Sequence, residues 1–194
     1  MMRPTIGQAA AFQVLLFILV LAFSLTRAGC CNDSCQRGDT YRDPQNRFEV
    51  VCPADDITLD DFGVTFFDAE NSFNFLVRAY DTPPLHPEKP RTIGNVLSDI
   101  KSMIAQPGLE IRISREEPAS FKNFKALDFD FSATSQSDGF TKFYYSRLVQ
   151  ADRYVFWLFF ATLGGENAIV VTNENAVTAP RDIANRFFDG VKIR

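Results

Sequence analysis

Two aspartates are the residues of this chain best placed to do chemistry. Asp128 and Asp130 stand two positions apart in a stretch where Phe129 and Phe131 alternate with them. Residues two apart on a strand point to the same side of the sheet, so the two carboxylates would stand together. Paired carboxylates can act as general acid and base or hold a metal ion. The same alternation is typical of a solvated strand face, and buried aspartates would need arginine, lysine or cation partners.

The other candidate groups are weaker. His86 lies in a loop with four prolines and is the single histidine, which excludes any site with two imidazoles. No G-x-S-x-G motif accompanies it. The acidic segment of Asp55, Asp56, Asp60 and Asp61 resembles a calcium loop but lacks the D-x-D-x-D-G spacing. We therefore expect no catalytic residue and no cofactor.

An aromatic run and the overall composition point to a packed globular core. The run Phe143-Tyr144-Tyr145 has the rings to stack a ligand, although strand aromatics are usually core or cross-strand pairs. Of 194 residues, 20 are phenylalanine and 23% are charged. Those values are typical of an ordered chain with an aromatic core. The net charge of -4 gives no electrostatic footprint for nucleic acid, so we expect no nucleic-acid partner.

The first residues have the pattern of an export signal. Arg3 precedes an almost wholly apolar stretch, residues 9–25, and small residues lead to a cleavage site after Ala28. Three outcomes stay open: cleavage to a soluble protein, retention as a membrane anchor, or lipid attachment at Cys30. The lipid signal normally has leucine three positions before the cysteine, where this chain has Arg27. We expect an exported protein of the periplasm or cell surface, soluble or membrane-attached.

All four cysteines lie close to the start of the expected mature chain, at Cys30, Cys31, Cys35 and Cys52. Clustered cysteines in an exported chain predict disulfides. A bond between adjacent Cys30 and Cys31 would be strained. A bridge from Cys31 or Cys35 to Cys52 would pin the first segment to the first strand. Zinc and redox sites are disfavoured because no C-x-x-C pair exists.

The order of predicted elements sets the expected fold. Residues 1–28 are a signal peptide or membrane anchor, 29–40 a polar linker with cysteines, and 41–194 a single α/β domain. Several strands flank an amphipathic helix from Ile93 to Ile104, capped by Thr92, and a second helix capped by Thr178 ends at Gly190. We predict breaks between strands at Glu116-Glu117-Pro118, at Ser135 to Gly139 and at Ala151-Asp152. Hairpin-linked strands with two helices favour α+β, an antiparallel sheet with helices on both faces, as a three-layer α/β/α sandwich.

Three features together resemble a known family. The first strand carries F-x-V-x-x-P (Phe48, Val50, Pro53), a mid-chain helix follows, and the last helix contains A-x-R-F-F-D-G-V-K from Ala184 to Lys192. This pattern over residues 41–194 is similar to PsbP, the photosystem II extrinsic protein, and to its exported bacterial relatives, which are often lipid-anchored. The resemblance implies an α/β/α sandwich without enzymatic activity. It implies an extrinsic-subunit, assembly or adaptor role, and no binding-site residue carries over.

The expected function is therefore that of a non-catalytic exported domain that binds an unknown protein of the cell envelope. Membrane association would come through residues 9–25 or through lipid at Cys30. One alternative is a metal-dependent hydrolase or metal-binding protein that uses Asp128 and Asp130. Another is a carrier of lipid or of a small apolar ligand in an aromatic pocket.

Overall fold

Most of the described protein is β-strand. The computed structural model describes residues 35–81, 91–162, 170–172 and 176–194. In chain order its strands are β1 (Thr40–Arg42), β2 (Phe48–Val51), β3 (Asp56–Asp60), β4 (Gly63–Asp68), β5 (Phe73–Tyr80), β6 (Leu109–Phe121), β7 (Phe124–Ser135), β8 (Thr141–Ala151), β9 (Tyr154–Thr162), β10 (Val170–Thr172), β11 (Ala176–Thr178) and β12 (Lys192–Ile193). The described helices are α1 (Ile93–Ile104) and α2 (Pro180–Gly190).

Seven strands form the main sheet, in the order β3-β4-β5-β9-β8-β7-β6, and every neighbouring pair is antiparallel. Strands β10 and β11 form a separate hairpin. Odd- and even-numbered side chains of β7 lie on opposite faces of the sheet, because successive residues of a strand point to opposite sides. Phe129 and Phe131 therefore join the core under α1, while Asp128 and Asp130 point to the other face.

Helix α1 covers one face of the sheet, with the bounds and the cap that the sequence predicts. Thr92 accepts a hydrogen bond from the backbone N–H of Asn95, which satisfies one free donor of the first turn. The buried residues of the helix pack against a cluster from the sheet that contains Leu76, Phe129, Phe131, Leu148, Val155 and Trp157. The predicted helix is confirmed, since its apolar spacing already defined the face that it buries.

The other face carries a small three-stranded sheet together with α2. This sheet has the order β1-β2-β12, and β2 lies in its centre. The shared core includes Phe48, Phe66, Phe156, Phe160 and Phe188. Helix α2 begins at Pro180 after Ala179, so the cap predicted at Thr178 is wrong. Proline suits the first helical position because its missing N–H is one that the helix leaves unpaired, and Ala179 provides no side-chain cap.

A disulfide between Cys35 and Cys52 closes the start of the described chain onto the end of β2. It is one of the two bridges to Cys52 that the sequence predicts. Both cysteines are buried in the core beneath the small sheet. Cys30, the lipidation candidate, and Cys31 lie outside the described residues, as do His86 and residues 1–28 with the expected signal or anchor. Neither α1 nor α2 is long and apolar enough to cross a membrane, and the finding extends to all residues described here.

The predicted fold class, an α+β three-layer α/β/α sandwich with helices on both faces, is wrong. The protein is mostly β, with antiparallel sheets of three and seven strands and two short helices in the described part. The layer expected to be helical on the α2 side is largely the small sheet. It forms because β2 pairs with β1 and with the distant β12, and long-range pairing of that kind has no local sequence signal.

Strand β6 also runs further than predicted. The expected break at Glu116-Glu117-Pro118 is wrong, since β6 continues through these residues to Phe121. Proline is compatible with an edge strand because its missing N–H can lie on the open side. β6 is an edge of the main sheet, and its pairing with β7 shifts register between Ile113 and Arg115.

Candidate functional site

The two predicted aspartates lie together on β7, on the face that α2 covers. Asp128 is 1% exposed and Asp130 is 6% exposed. The predicted pairing of their carboxylates on one strand face therefore corresponds to the structure, but the face is covered rather than solvated. Two carboxylates removed from water need compensating positive charge or hydrogen bonds.

Arginines from three elements supply that charge to Asp128. Arg147 lies directly opposite on β8 and donates from Nε to Asp128 Oδ1 at 2.7 Å and from Nη2 to Oδ2 at 3.2 Å. Arg115 of β6 places Nη2 3.3 Å from Asp128 Oδ2. Arg181 of α2 donates from its own Nη2 to the same oxygen at 2.7 Å. Both oxygens of Asp128 thus bind guanidinium groups in a bidentate geometry that arginine favours.

Arg181 also binds Asp130 and so joins α2 to the sheet. Its Nη1 donates to both oxygens of Asp130 at 2.6 Å. The backbone N–H of Ser146 donates to Asp130 Oδ1 at 3.2 Å. One guanidinium from the first turn of α2 therefore bridges both strand aspartates. Its Nε is buried and has no hydrogen-bond partner in the structure.

The environments of the two carboxylates shift their pKa values in opposite directions. Burial works against ionisation of Asp128, but the hydrogen bond from Arg147 and the charges of Arg147, Arg181 and Arg115 outweigh it and lower its pKa. Burial raises the pKa of Asp130 above its usual value, and the attraction of Arg181 and the Ser146 N–H do not fully offset it. The adjacent Asp128 charge also raises the pKa of Asp130.

This arrangement favours a structural ion network over a metal or acid–base site. A metal ion at Asp128 or Asp130 would have to displace guanidinium groups from the carboxylate oxygens. Within the described residues, no three side chains among histidine, cysteine, aspartate and glutamate converge to hold a metal ion. Asp130 has the raised pKa of a general-acid group, yet both of its oxygens already accept from Arg181. The two acids are better explained as anchors for α2.

An open cleft of about 320 Å³ lies beside this network, where the start of α2 faces the bulge of β6. Its wall includes Ser114, Arg115, Asp130, Tyr145, Pro180 and Arg181. The side chains of Arg115 and Arg181 are 37% and 20% exposed, so part of each guanidinium remains accessible. The cleft therefore presents polar groups that rigid elements hold in place.

The sequence did not identify the arginines of this site. Arg147 is 19 residues and Arg181 is 53 residues from Asp128. Strand alternation fixes which side of β7 the aspartates take, but only the register between β7 and β8 shows that Arg147 faces Asp128. The sequence indicated only that two buried aspartates need cationic partners. It did not identify which residues those partners are.

The acidic segment predicted as a weak calcium loop is a hairpin in the structure. Asp60 Oδ1 accepts from the backbone N–H groups of Phe62 and Gly63 at 2.8 and 2.9 Å, and Arg78 binds its other oxygen. Asp55 accepts from the backbone N–H of Arg37. Asp56 begins β3, and Asp61 lies in the turn with its carbonyl accepting from Arg47. These groups stabilise the hairpin and do not converge on a cation.

Two rings of the aromatic run, those of Tyr144 and Tyr145, pack against the core. The ring of Tyr144 stacks on Phe131 with centroids 4.5 Å apart, and burial raises the pKa of its hydroxyl. The ring of Tyr145 contacts Phe160 on the opposite face. Cross-strand and core packing therefore accounts for Tyr144 and Tyr145, as is usual for aromatic residues on strands.

Comparison with solved structures identifies the fold. The solution structure of cyanobacterial PsbP from Synechocystis sp. PCC 6803 matches over 86% of this chain and 98% of that protein, with a TM-score of 0.57 and 10% identity. This chain has a PsbP-like fold. The predicted resemblance is confirmed at the level of fold, even though the predicted layer arrangement is not.

A second solved structure is also similar in fold to this chain. A protein from Bacteroides thetaiotaomicron VPI-5482 matches over 82% of this chain with a TM-score of 0.50 and 11% identity. The chain spans about half of that protein's length, with 49% covered. Comparison with protein-family models and with curated proteins finds no sequence match. Identity at this level shows a shared fold and carries no activity.

Proposed function

We propose that this protein is an exported, non-catalytic domain that binds a protein partner in the cell envelope. The observation that carries the proposal is the state of Asp128 and Asp130. The two candidate catalytic groups are occupied by Arg115, Arg147 and Arg181, so both aspartates serve to hold the arginines and α2 in place. A disulfide in the described part is in keeping with an oxidising compartment outside the cytosol.

The cleft between α2 and β6 is the surface that we assign to the partner. Rigid elements hold its arginines, which lowers the entropic cost of binding. Arginine and tyrosine are enriched in the energetically important parts of protein interfaces, and Arg115, Arg181 and Tyr145 all line this cleft. The same residues offer both charged and apolar contacts.

Photo-crosslinking from within the cleft tests this proposal. Ser114 is exposed and lines the cleft, so a benzoylphenylalanine at that position would face a bound partner without removing an ion pair. The matched control places the same group at Ser102, which is exposed on α1 over the other face. Cells of the native host that express either full chain are irradiated, and crosslinked products are identified by mass spectrometry.

The expected result is one reproducible heterologous product from position 114 that position 102 does not give. Crosslinks at neither site, or the same proteins from both, would remove the support for a partner at the cleft. A product made of two copies of this chain is recognised by its mass and counts as no partner.

A separate experiment tests the metal-dependent alternative. Thermal unfolding of the full chain is measured with calcium, zinc, magnesium or manganese, beside D128N and D130N variants. The proposal requires that none of these ions raises the melting temperature through the two aspartates. A metal-dependent increase that both substitutions abolish would favour the hydrolase or metal-binding function instead.

A further inference from the structure

The open edge of the main sheet is protected along only part of its length. β6 has β7 on one side and no described strand on the other. Proteins usually shield such edges with bulges, prolines or charges, because free backbone groups invite another strand. The second part of β6 has a register shift after Ile113 and a proline at 118. The first part, Leu109–Ile113, pairs regularly with β7 and has neither device.

The backbone of this first part presents its free groups in a regular pattern. The N–H of Gln136 donates to the carbonyl of Gly108 at 3.0 Å, so Gly108 faces β7. Backbone groups alternate in direction along an antiparallel strand. Glu110 and Arg112 therefore direct their N–H and C=O groups to β7, whereas Ile111 and Ile113 direct theirs outward. At Leu109 the C=O points outward, and the N–H already donates to the carbonyl of Gln106 at 3.2 Å.

We propose that Leu109–Ile113 pairs antiparallel with the same segment of a second copy of this chain, with Ile111 opposite Ile111. The sequence L-E-I-R-I is self-complementary in this register. Glu110 then faces Arg112 of the second copy, and Leu109 faces Ile113 of the second copy. Because the arrangement is two-fold symmetric, each of these pairs occurs twice.

Charge selects this register over its neighbours. Outward groups must meet outward groups, so the register can change only in steps that keep this parity. A pairing centred on Glu110 places two glutamates opposite each other, and one centred on Arg112 places two arginines opposite each other. Opposite charges across a strand pair are stabilising and like charges are destabilising.

The side chains of the segment are available for such pairing. Glu110 and Arg112 are exposed, and neither forms an ion pair with another residue of the described chain. Ile113 is 45% exposed, while Leu109 and Ile111 are half-buried on the α1 side. A second copy would cover Ile113 with its own Leu109 and continue the core beneath α1. Five paired residues form a small interface, so the dimer should dissociate on dilution.

Charge reversal at the two positions tests the register itself. E110R places arginine opposite arginine, and R112E places glutamate opposite glutamate. The double variant E110R/R112E restores complementarity with the charges exchanged. An equimolar mixture of the two single variants restores it in a heterodimer, since one copy then carries two arginines and the other two glutamates.

Sedimentation velocity of the full chain in one mild detergent measures these associations over a roughly hundredfold concentration range. We expect a concentration-dependent dimer for the natural sequence and a dissociation constant about tenfold or more higher for each single variant. The double variant and the mixture should recover most of the lost affinity. E70R, the same charge change in an exposed turn between β4 and β5, should associate like the natural sequence.

Three outcomes would overturn the proposal. One is a chain that remains monomeric throughout the concentration range. Another is single variants that dimerise as well as the natural sequence. The third is loss of association in E110R or R112E that neither the double variant nor the mixture reverses. Circular dichroism of every variant confirms that the fold is retained. The mixture is made from the two single-variant preparations, so recovered dimerisation would also show that neither variant had lost association by misfolding.

Discussion

Asp128 and Asp130 are two residues apart on one strand, yet their surroundings move their pKa values in opposite directions. Asp128 receives guanidinium groups from three elements, whereas Asp130 receives one guanidinium and a backbone N–H. Burial acts on both. The difference in the number of cationic partners therefore determines which aspartate gains from being ionised in the folded protein.

The amide variants should reflect that difference. D128N removes the charge that balances Arg147 and Arg181 in a buried site, and we expect it to lower the free energy of unfolding by about 3 kcal/mol. D130N removes a carboxylate whose ionisation burial already disfavours, so its cost should stay under about 1 kcal/mol. Urea unfolding near neutral pH measures both. Equal losses, or a larger loss in D130N, would contradict the conclusion that the number of arginine partners determines how much each ionised aspartate stabilises the fold.

The pH dependence of stability should separate the two groups. The lowered pKa of Asp128 means that its contribution is present above its unfolded pKa of about 4 and is lost as pH falls through the folded value. The raised pKa of Asp130 means that its ionised form costs stability near neutral pH, and acidification relieves that cost. Carboxyl carbon shifts followed by NMR titration should show Asp130 taking up its proton before Asp128. The reverse order would refute the assignment.

Gly63, in the hairpin of β3 and β4, shows how closely the strands approach. A Cβ added at this glycine would overlap the backbone carbonyl of Val77 on β5. Backbone atoms of β5, which is paired on both sides, cannot move aside cheaply, so we expect G63A to lower the free energy of unfolding by about 2 kcal/mol or more. G190A at the end of α2 is the matched control, because nothing lies within 4 Å of its added carbon.

Thermal unfolding of the two variants provides the measurement. G63A should melt several degrees below the natural sequence, about 2–4 °C for each kcal/mol in a chain of this size. G190A should differ little or melt slightly higher, since alanine favours a helix. Comparable melting temperatures for the two variants would show that β4 and β5 are not as close as the structure has them.

Local patterns predicted some elements well and others poorly. The cap at Thr92 and the apolar spacing from Ile93 to Ile104 defined α1 to the residue, because both signals lie within the helix. The predicted break at Pro118 failed because proline interrupts a central strand but not the free side of an edge strand. The pairing of β2 with β12 has no local signal, and neither has the meeting of Asp128 with Arg181.

At the scale of the whole molecule, the phenylalanine excess is mainly a core. Of the 17 phenylalanines beyond residue 28, eleven are buried. Phe62 and Phe140 are the exposed ones, and they lie in separate turns, beside β4 and β8 respectively. The aromatic composition therefore predicted a packed interior correctly, and the exposed rings do not form one continuous surface.

The disulfide should contribute strongly to the stability of the whole domain. Cys35 and Cys52 are 17 residues apart, and closing a loop of that size stabilises a fold by about 3 kcal/mol through the unfolded state. We expect C35S to lose most of this in urea unfolding. C31S should lose little, because Cys31 is not the partner of Cys52. A loss in C35S as small as the loss in C31S would indicate that either cysteine can form the bridge to Cys52.

The central place of β2 in the small sheet has a consequence for the order of assembly. Glu49 of β2 lies opposite Lys192 of β12. A strand near the start of the described chain therefore needs, as its pairing partner, the last described strand. A chain that crosses a membrane from its first residue onward would deliver β1 and β2 long before β12. Phe48 and its neighbours would stay exposed to solvent until β12 had crossed. An export pathway would therefore have to keep this protein unfolded, or shield its apolar residues, until translocation is nearly complete.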